Sequence, residues 1–402
     1  MNTKNYNAML RLIQLIVLSS SLIAIHPAMA EIDAPEGIRS GSVIYYPYAT
    51  LSVGNDDNVV SQETNPISST VTKLSAGVAM RIAQQGSKGE FDVELEAHKG
   101  TFNSSPDDDY TDGAISAGYT YAPSDKLSLK VAAGIKQLHD ARTPITLPTS
   151  STPDEYQDTT VDVEWHYGIN DWAGADTLVE LNLTDRVYQS NLAVNQAKDR
   201  QKTSVSGLLR FPVAPNTRLR ISGRHITFDY DITDTRDSDQ LRLMVGVEWQ
   251  VSDQTLLSAD LGGQEKNFDQ NSAADDTDSA WEIIMTWTPE TFNKVELTTS
   301  NDFDESLTAA THLNTRKVGL VWSYEWDDFL TSLLTVETSE DSSVSGATTT
   351  VDIINYFSLS VKYGLTRTVM INGGISRTDV DSDIADNSSV KNVFGIGLTA
   401  AF

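Results

Sequence analysis

From residue 43 to its last residue the sequence alternates apolar and polar side chains with a period of two, in segments of ten to fourteen residues. That period belongs to β-strands with one wet and one apolar face. In Phe91, Val93, Leu95 and Ala97 the odd positions are apolar, while Asp92, Glu94, Glu96 and His98 fill the even ones. Val161, Val163, Trp165 and Tyr167 stand in the same way against Asp162, Glu164 and His166, and Leu241, Leu243, Val245, Val247 and Trp249 against Arg242 and Glu248. Helical spacing hardly appears. About eighteen such segments follow one another, the first near 43–53 and the last near 388–402, as expected of a closed antiparallel barrel.

The links between segments alternate between short and long. Pro123-Ser124-Asp125, Ala214-Pro215-Asn216 and Ser252-Asp253-Gln254 are short turns, whereas the others are longer and rich in Asp, Ser, Thr and Asn. Transmembrane barrels of the bacterial outer membrane place short turns in the periplasm and long loops outside, and an even strand count returns both ends to the periplasm. The predicted fold is therefore all-β, a single transmembrane antiparallel barrel over 43–402. Tyr121, Tyr167, Phe211, Trp249, Trp287, Trp326 and Tyr363 fall at the short-turn ends, where a lipid interface favours rings. Phe102, Tyr188, Phe268, Trp281 and Phe303 mark a second set near the long loops. The last strand carries Phe394, Ile396, Leu398, Ala400 and Phe402 on one face. This ending resembles the C-terminal signal read by the barrel-assembly machinery, with Phe402 as its terminal aromatic.

Residues 1–30 have the parts of a secretory signal peptide: Lys4 and Arg11, an apolar run from Leu12 to Ile25, and Ala28-Met29-Ala30 as a small-residue cleavage site. The run is shorter than the roughly 20 residues that span a bilayer as a helix. Residues 31–42 form a periplasmic N-terminal segment in this reading. The expected location is the bacterial outer membrane, in contact with lipid and lipopolysaccharide. A net charge of −27 argues against nucleic acid as a partner. No cysteine is present, and neither a nucleophile elbow nor an H-E-x-x-H motif occurs, so no enzyme, cofactor or metal site is expected.

Charge assigns the faces, because a charged side chain pointing at lipid near the midplane costs about 2–4 kcal/mol. The basic residues Arg210, Arg218, Arg220, Arg224 and Arg242 and the acidic residues Asp92, Glu94, Glu96, Asp162, Glu164 and Glu180 are then expected to line the lumen. Opposed basic and acidic walls would set a transverse field across a pore. Ordinary wetting of a wide interior explains the same charges without a specific role. The longest link, His139 to Gln157, carries Pro144, Pro148 and Pro153 and is the candidate gate.

Pro47-Tyr48-Ala49-Thr50-Leu51-Ser52-Val53-Gly54, followed by Asp56-Asp57-Asn58-Val59, resembles the opening of the outer-membrane β-barrel porins of exopolysaccharide and capsule gene clusters. The resemblance implies export of a polysaccharide through the barrel, with a periplasmic export protein as partner. Tyr46, Tyr48, Phe228, Tyr230 and Tyr356 would then offer rings for sugar stacking, beside hydrogen bonds from Arg220 and Glu164. The alternatives are a passive diffusion porin for small hydrophilic solutes and a surface-exposed adhesion barrel.

Overall fold

A computed structural model describes residues 36–402 apart from 84–87, 143–151, 170–171, 190–192, 270–274, 306–311, 346–347 and 385–386. The signal-peptide segment 1–30 and the middle of the 139–157 link lie outside the described residues. A short strand, β1 (Ile38–Ser40), precedes the first nine strands of the wall, β2 (Val43–Asp56), β3 (Ser69–Ala83), β4 (Gly89–Phe102), β5 (Tyr110–Ser124), β6 (Leu127–Asp140), β7 (Asp154–Gly168), β8 (Asp176–Tyr188), β9 (Arg200–Ala214) and β10 (Thr217–Tyr230). The wall continues with β11 (Ser238–Ser252), β12 (Thr255–Phe268), β13 (Asp276–Glu290), β14 (Asn293–Asp304), β15 (Leu313–Glu325), β16 (Leu330–Ser345), β17 (Thr348–Gly364), β18 (Val369–Ser382) and β19 (Ser389–Ala401).

Each wall strand pairs antiparallel with the next, and β19 returns to β2 through Val393↔Asp56 to Ala401↔Tyr48. The wall is thus a closed 18-strand antiparallel barrel. Closure pairs each wall strand on both sides over most of its length, the condition for spanning lipid with strands. One edge would remain where β19 ends below Tyr48. There Phe402 donates its backbone N–H to the Pro47 carbonyl at 3.1 Å, and β1 folds back to pair Ile38↔Tyr45 and Ser40↔Val43. Gly41 makes this tight return possible with a φ of +63°.

The two faces divide as the alternation requires. Leu261, Val318 and Ile396, in the middle of their strands and pointing away from the lumen, are 62%, 62% and 63% exposed, which is tolerable only against lipid. Tyr121, Tyr167, Trp249, Trp287, Trp326 and Tyr363 are exposed on the same face beside the short turns. On the other face sit charged and hydroxylated residues.

Two features differ from the sequence reading. β16 and β17 stay paired up to Ser345↔Thr348, so that one outer link is only two residues long. Above the membrane both strand faces are wet, so the run of Ser, Thr and Asp loses its alternation and resembles a loop. Four of the five upper rings also do not join a second lipid girdle: Phe102, Tyr188, Phe268 and Phe303 are 7%, 3%, 8% and 4% exposed, while Trp281 is half-buried. Phe102, Tyr188 and Phe268 have the even parity of the lumenal charges on their own strands, so they turn inward and pack the extracellular end from within.

Candidate functional site: the inner wall from β8 to β14

Inward-facing charges on β8 to β14 form adjoining groups of ion pairs. Arg210 directs its Nε at both oxygens of Asp176, each at 3.0 Å. Arg218 reaches the same carboxylate at 3.6 Å and donates to Glu248 at 2.7 Å, with its guanidinium 4.9 Å from the ring centre of Trp172 in the β7–β8 turn. Arg220 pairs with Asp260 at 2.9 Å and stands 4.0 Å from Glu248. Asp176 has no exposed side-chain surface and the Arg218 side chain has 3%. Charges held this deeply persist only when paired, since an unpaired one carries a desolvation cost of several kcal/mol.

A second group of pairs gathers at the tip of β14. β13 and β14 are paired from Glu290↔Asn293 up to Trp281↔Asn301, and above this the two strands part. Asp276 to Ala280 keep only their β12 partners. Fully buried Asn301 fills the split, donating to the Ser279 carbonyl at 2.6 Å and to Asp278 at 3.1 Å. Freed from β13, the end of β14 leans over the inner wall. Asp302 takes hydrogen bonds from Arg224 at 2.6 Å and Arg242 at 3.1 Å, and the Phe303 N–H donates to Gln264 at 3.1 Å. Glu305 accepts from Tyr230 at 2.5 Å, pairs with Lys266, and lies 3.7 Å from Arg236. This segment narrows the passage. The sequence offered no direct signal for it, because an inward lean of one strand leaves the alternation untouched.

Above these pairs, rings and cations alternate around the extracellular end. Arg186 lies over Tyr156 at 4.1 Å, Lys198 over Tyr188 at 4.9 Å, Arg236 over Tyr230 at 4.6 Å, and fully buried Lys266 over Phe228 at 4.6 Å. Such stacking orders the long loops against the inner wall. At the start of the 139–157 link, Arg142 donates to both oxygens of Asp108, at 2.7 and 2.6 Å. That bond, ahead of the opposing effect of burial, raises the guanidinium above its ordinary pKa.

The residues expected to line the lumen fall into two groups. Arg210, Arg218, Arg220, Arg224 and Arg242 come together as described, but they do not form a bare basic wall. Carboxylates of β8, β11, β12, β13 and β14 neutralise them, so a transverse field between opposed walls is replaced by local pairing. Glu180 sits beside this group and accepts from Ser206 at 2.8 Å. Asp92, Glu94, Glu96, Asp162 and Glu164 lie on β4 and β7, away from it. Glu94 and Asp162 are exposed there, and Glu96 is within 3.4 Å of His98 and 3.3 Å of the Tyr48 hydroxyl. Phe228 and Tyr230, at 5% and 4% exposure, leave no ring face for a sugar, because the β14 tip and the cations cover them. Tyr46, Tyr48 and Tyr356 remain half-buried on the opposite wall.

The Asp56-Asp57-Asn58-Val59 segment locks the closure seam. Asn58 donates to the Val390 carbonyl at 2.9 Å and to the Gln62 carbonyl at 2.7 Å. Asp57 accepts from the backbone and side chain of Asn392, both at 2.7 Å, and Lys391 meets Asp56 at 3.2 Å and the Val59 carbonyl at 3.1 Å. Val59 and Val60 then pack with Val71 and Phe102 in a small core at the extracellular end.

A family model described as Putative beta-barrel porin 2 matches residues 33–402. No curated protein sequence matches the chain. Among solved structures it is similar to OccK2 (OpdF) of Pseudomonas aeruginosa, with a TM-score of 0.53 and 11% identity over 89% of this chain and 98% of that one. It is similar also to a BenF-like porin of Pseudomonas fluorescens Pf-5, with a TM-score of 0.52 and 10% identity over 89% and 99%. OccAB3 of Acinetobacter baumannii gives 0.50 and 10% over 90% and 100%. At these identities the likeness is one of fold.

Proposed function

Because the chain belongs to this β-barrel porin family and is an outer-membrane porin, we propose that its channel passes small hydrophilic solutes by diffusion along the ion-paired wall. The observation that carries this reading is the inward lean of β14. Arg224 and Asp302 belong to strands four steps apart, about 19 Å of wall at about 4.8 Å per step, yet they meet at 2.6 Å. A lumen narrowed in this way suits small solutes that exchange hydrogen bonds with paired charges and hydroxyls. Residues 1–30 would direct export as a cleaved signal, and Phe402 would present the terminal aromatic to the assembly machinery.

The test is single-channel conductance of the refolded chain in planar bilayers, with solute uptake into liposomes. Steady ion conductance and uptake that falls with solute size are expected. A closed barrel with neither property would overturn the reading.

Polysaccharide export is the second reading, favoured by the resemblance of residues 47–59 to the porins of exopolysaccharide and capsule clusters. Asp56 to Val59 are engaged here in closing the seam, which weakens their value as a mark of export. A deletion strain that loses extracellular polymer without a general uptake defect would favour export over diffusion, with a periplasmic export protein as the expected partner.

A further inference from the structure

Beneath the β14 tip, at mid-height of the wall, lies a recess of about 160 Å³. Its charged lining comes from Arg220, Arg224, Arg242, Glu180, Asp260 and Glu282, and its apolar floor includes Leu178 and Met244. Three observations describe what it can hold. First, the charges of the lining are balanced, with Arg220, Arg224 and Arg242 against Glu180, Asp260 and Glu282, and Arg220 is paired with Asp260 at 2.9 Å, so an anion or a cation entering the recess meets like charges as well as opposite ones. Second, Arg242 and Glu282 stand 3.7 Å apart, too far for a good hydrogen bond, and the Glu282 side chain is 31% exposed. A hydroxyl entering there accepts from the guanidinium and donates to the carboxylate. Third, Leu178 and Met244 are 9% and 8% exposed and form an apolar floor in an otherwise polar wall.

We propose that this recess is a docking station for a neutral sugar ring, a deepening that rests on the solute-porin reading. A pyranose presents vicinal hydroxyls at its edge and a C–H face beneath. The hydroxyls match alternating guanidinium donors and carboxylate acceptors, with the Ser206 hydroxyl beside Glu180 at 2.8 Å. The C–H face lies on Leu178 and Met244. A neutral solute carries no net charge to be desolvated against the balanced lining, whereas a uronate or an amino sugar does. The recess sits directly under Asp302, so a solute passing the narrow point meets it next.

The full refolded chain is reconstituted in planar bilayers, and ion current is recorded with maltose, glucuronate or glucosamine added. Maltose is expected to interrupt the current in a concentration-dependent way, with an apparent affinity above that of either charged sugar. Met244→Trp, which fills the recess, and Glu282→Gln, which removes one acceptor charge, are each expected to weaken the maltose effect by about tenfold, the worth of one to two hydrogen bonds. Ser358→Trp adds similar bulk to the far wall on β17 and is expected to leave the effect in place. If Met244→Trp does not fold, Glu282→Gln decides. Ion conductance without any maltose effect, a stronger effect of glucuronate or glucosamine, or an unchanged effect in the recess variants overturns the station while leaving the porin intact. Absence of ion conductance in the wild-type chain overturns the porin reading itself.

Discussion

Arg224 and Asp302, on strands four steps apart, are joined at 2.6 Å, and Arg242 joins the same carboxylate at 3.1 Å. Asp302 therefore ties the β14 tip to the wall at β10 and β11 and neutralises two guanidinium groups. Asp302→Asn keeps the shape and removes the charge. We expect a larger single-channel conductance, a shift of ion selectivity toward anions, and a loss of about 1.5–3 kcal/mol of stability, the range for a hydrogen bond to a charged group. Bi-ionic potentials and urea unfolding in lipid vesicles measure these; an unchanged selectivity would show that Asp302 does not face the ion path.

Lys266 and Glu305 form the most deeply buried pair at the narrow point, with side-chain exposures of 1% and 9%. Removing one partner of such a pair strands the other charge, so Lys266→Met is expected to destabilise the barrel by about 3–5 kcal/mol. The double variant Lys266→Met/Glu305→Gln is expected to recover most of that loss, because no lone charge remains buried. Thermal unfolding of the wild type, Lys266→Met, Glu305→Gln and the double variant in detergent tests the coupling, and additive losses would contradict it.

Asn58 holds the seam through Val390 at 2.9 Å while its own loop is held through Gln62. Asn58→Ala leaves the Val390 and Gln62 carbonyls without this donor inside a nearly sealed corner. A loss of about 1–3 kcal/mol is expected. It should appear as a lower temperature for the shift from compact to unfolded mobility in detergent gels, with conductance unchanged.

The assignment of faces can be tested by two arginines. Leu261→Arg places a charge against lipid near mid-strand and is expected to cost about 2–4 kcal/mol, whereas Ser222→Arg on the inner face of β10 should be tolerated within about 1 kcal/mol. Folding titrations into vesicles compare them. Equal costs would be incompatible with an outer face at Leu261 and an inner face at Ser222.

Much of this arrangement was legible in residues 43–402. Alternation, turn residues and charge parity identify the strands and their faces, because a strand's side chains point to opposite sides at every step and lipid forbids the wrong side. Parity also places Phe102, Tyr188 and Phe268 inside, although their position near the membrane edge suggested a lipid girdle. The weight given to the 139–157 link as a gate came from its length. The middle of that link lies outside the described residues; among the described residues the inward lean arises where β14 leaves β13, at Asn301.

The sequence by itself determined that the chain closes as a barrel with an apolar outside and a charged inside, since both properties repeat along every strand and are local. Only the tertiary structure decided which charges neutralise each other, which rings remain open to a solute and where the passage narrows. Those outcomes depend on distances across the lumen between residues such as Arg224 and Asp302, which are 78 positions apart. Curvature and the lean of a single strand set those distances, and neither is written in the period of the sequence.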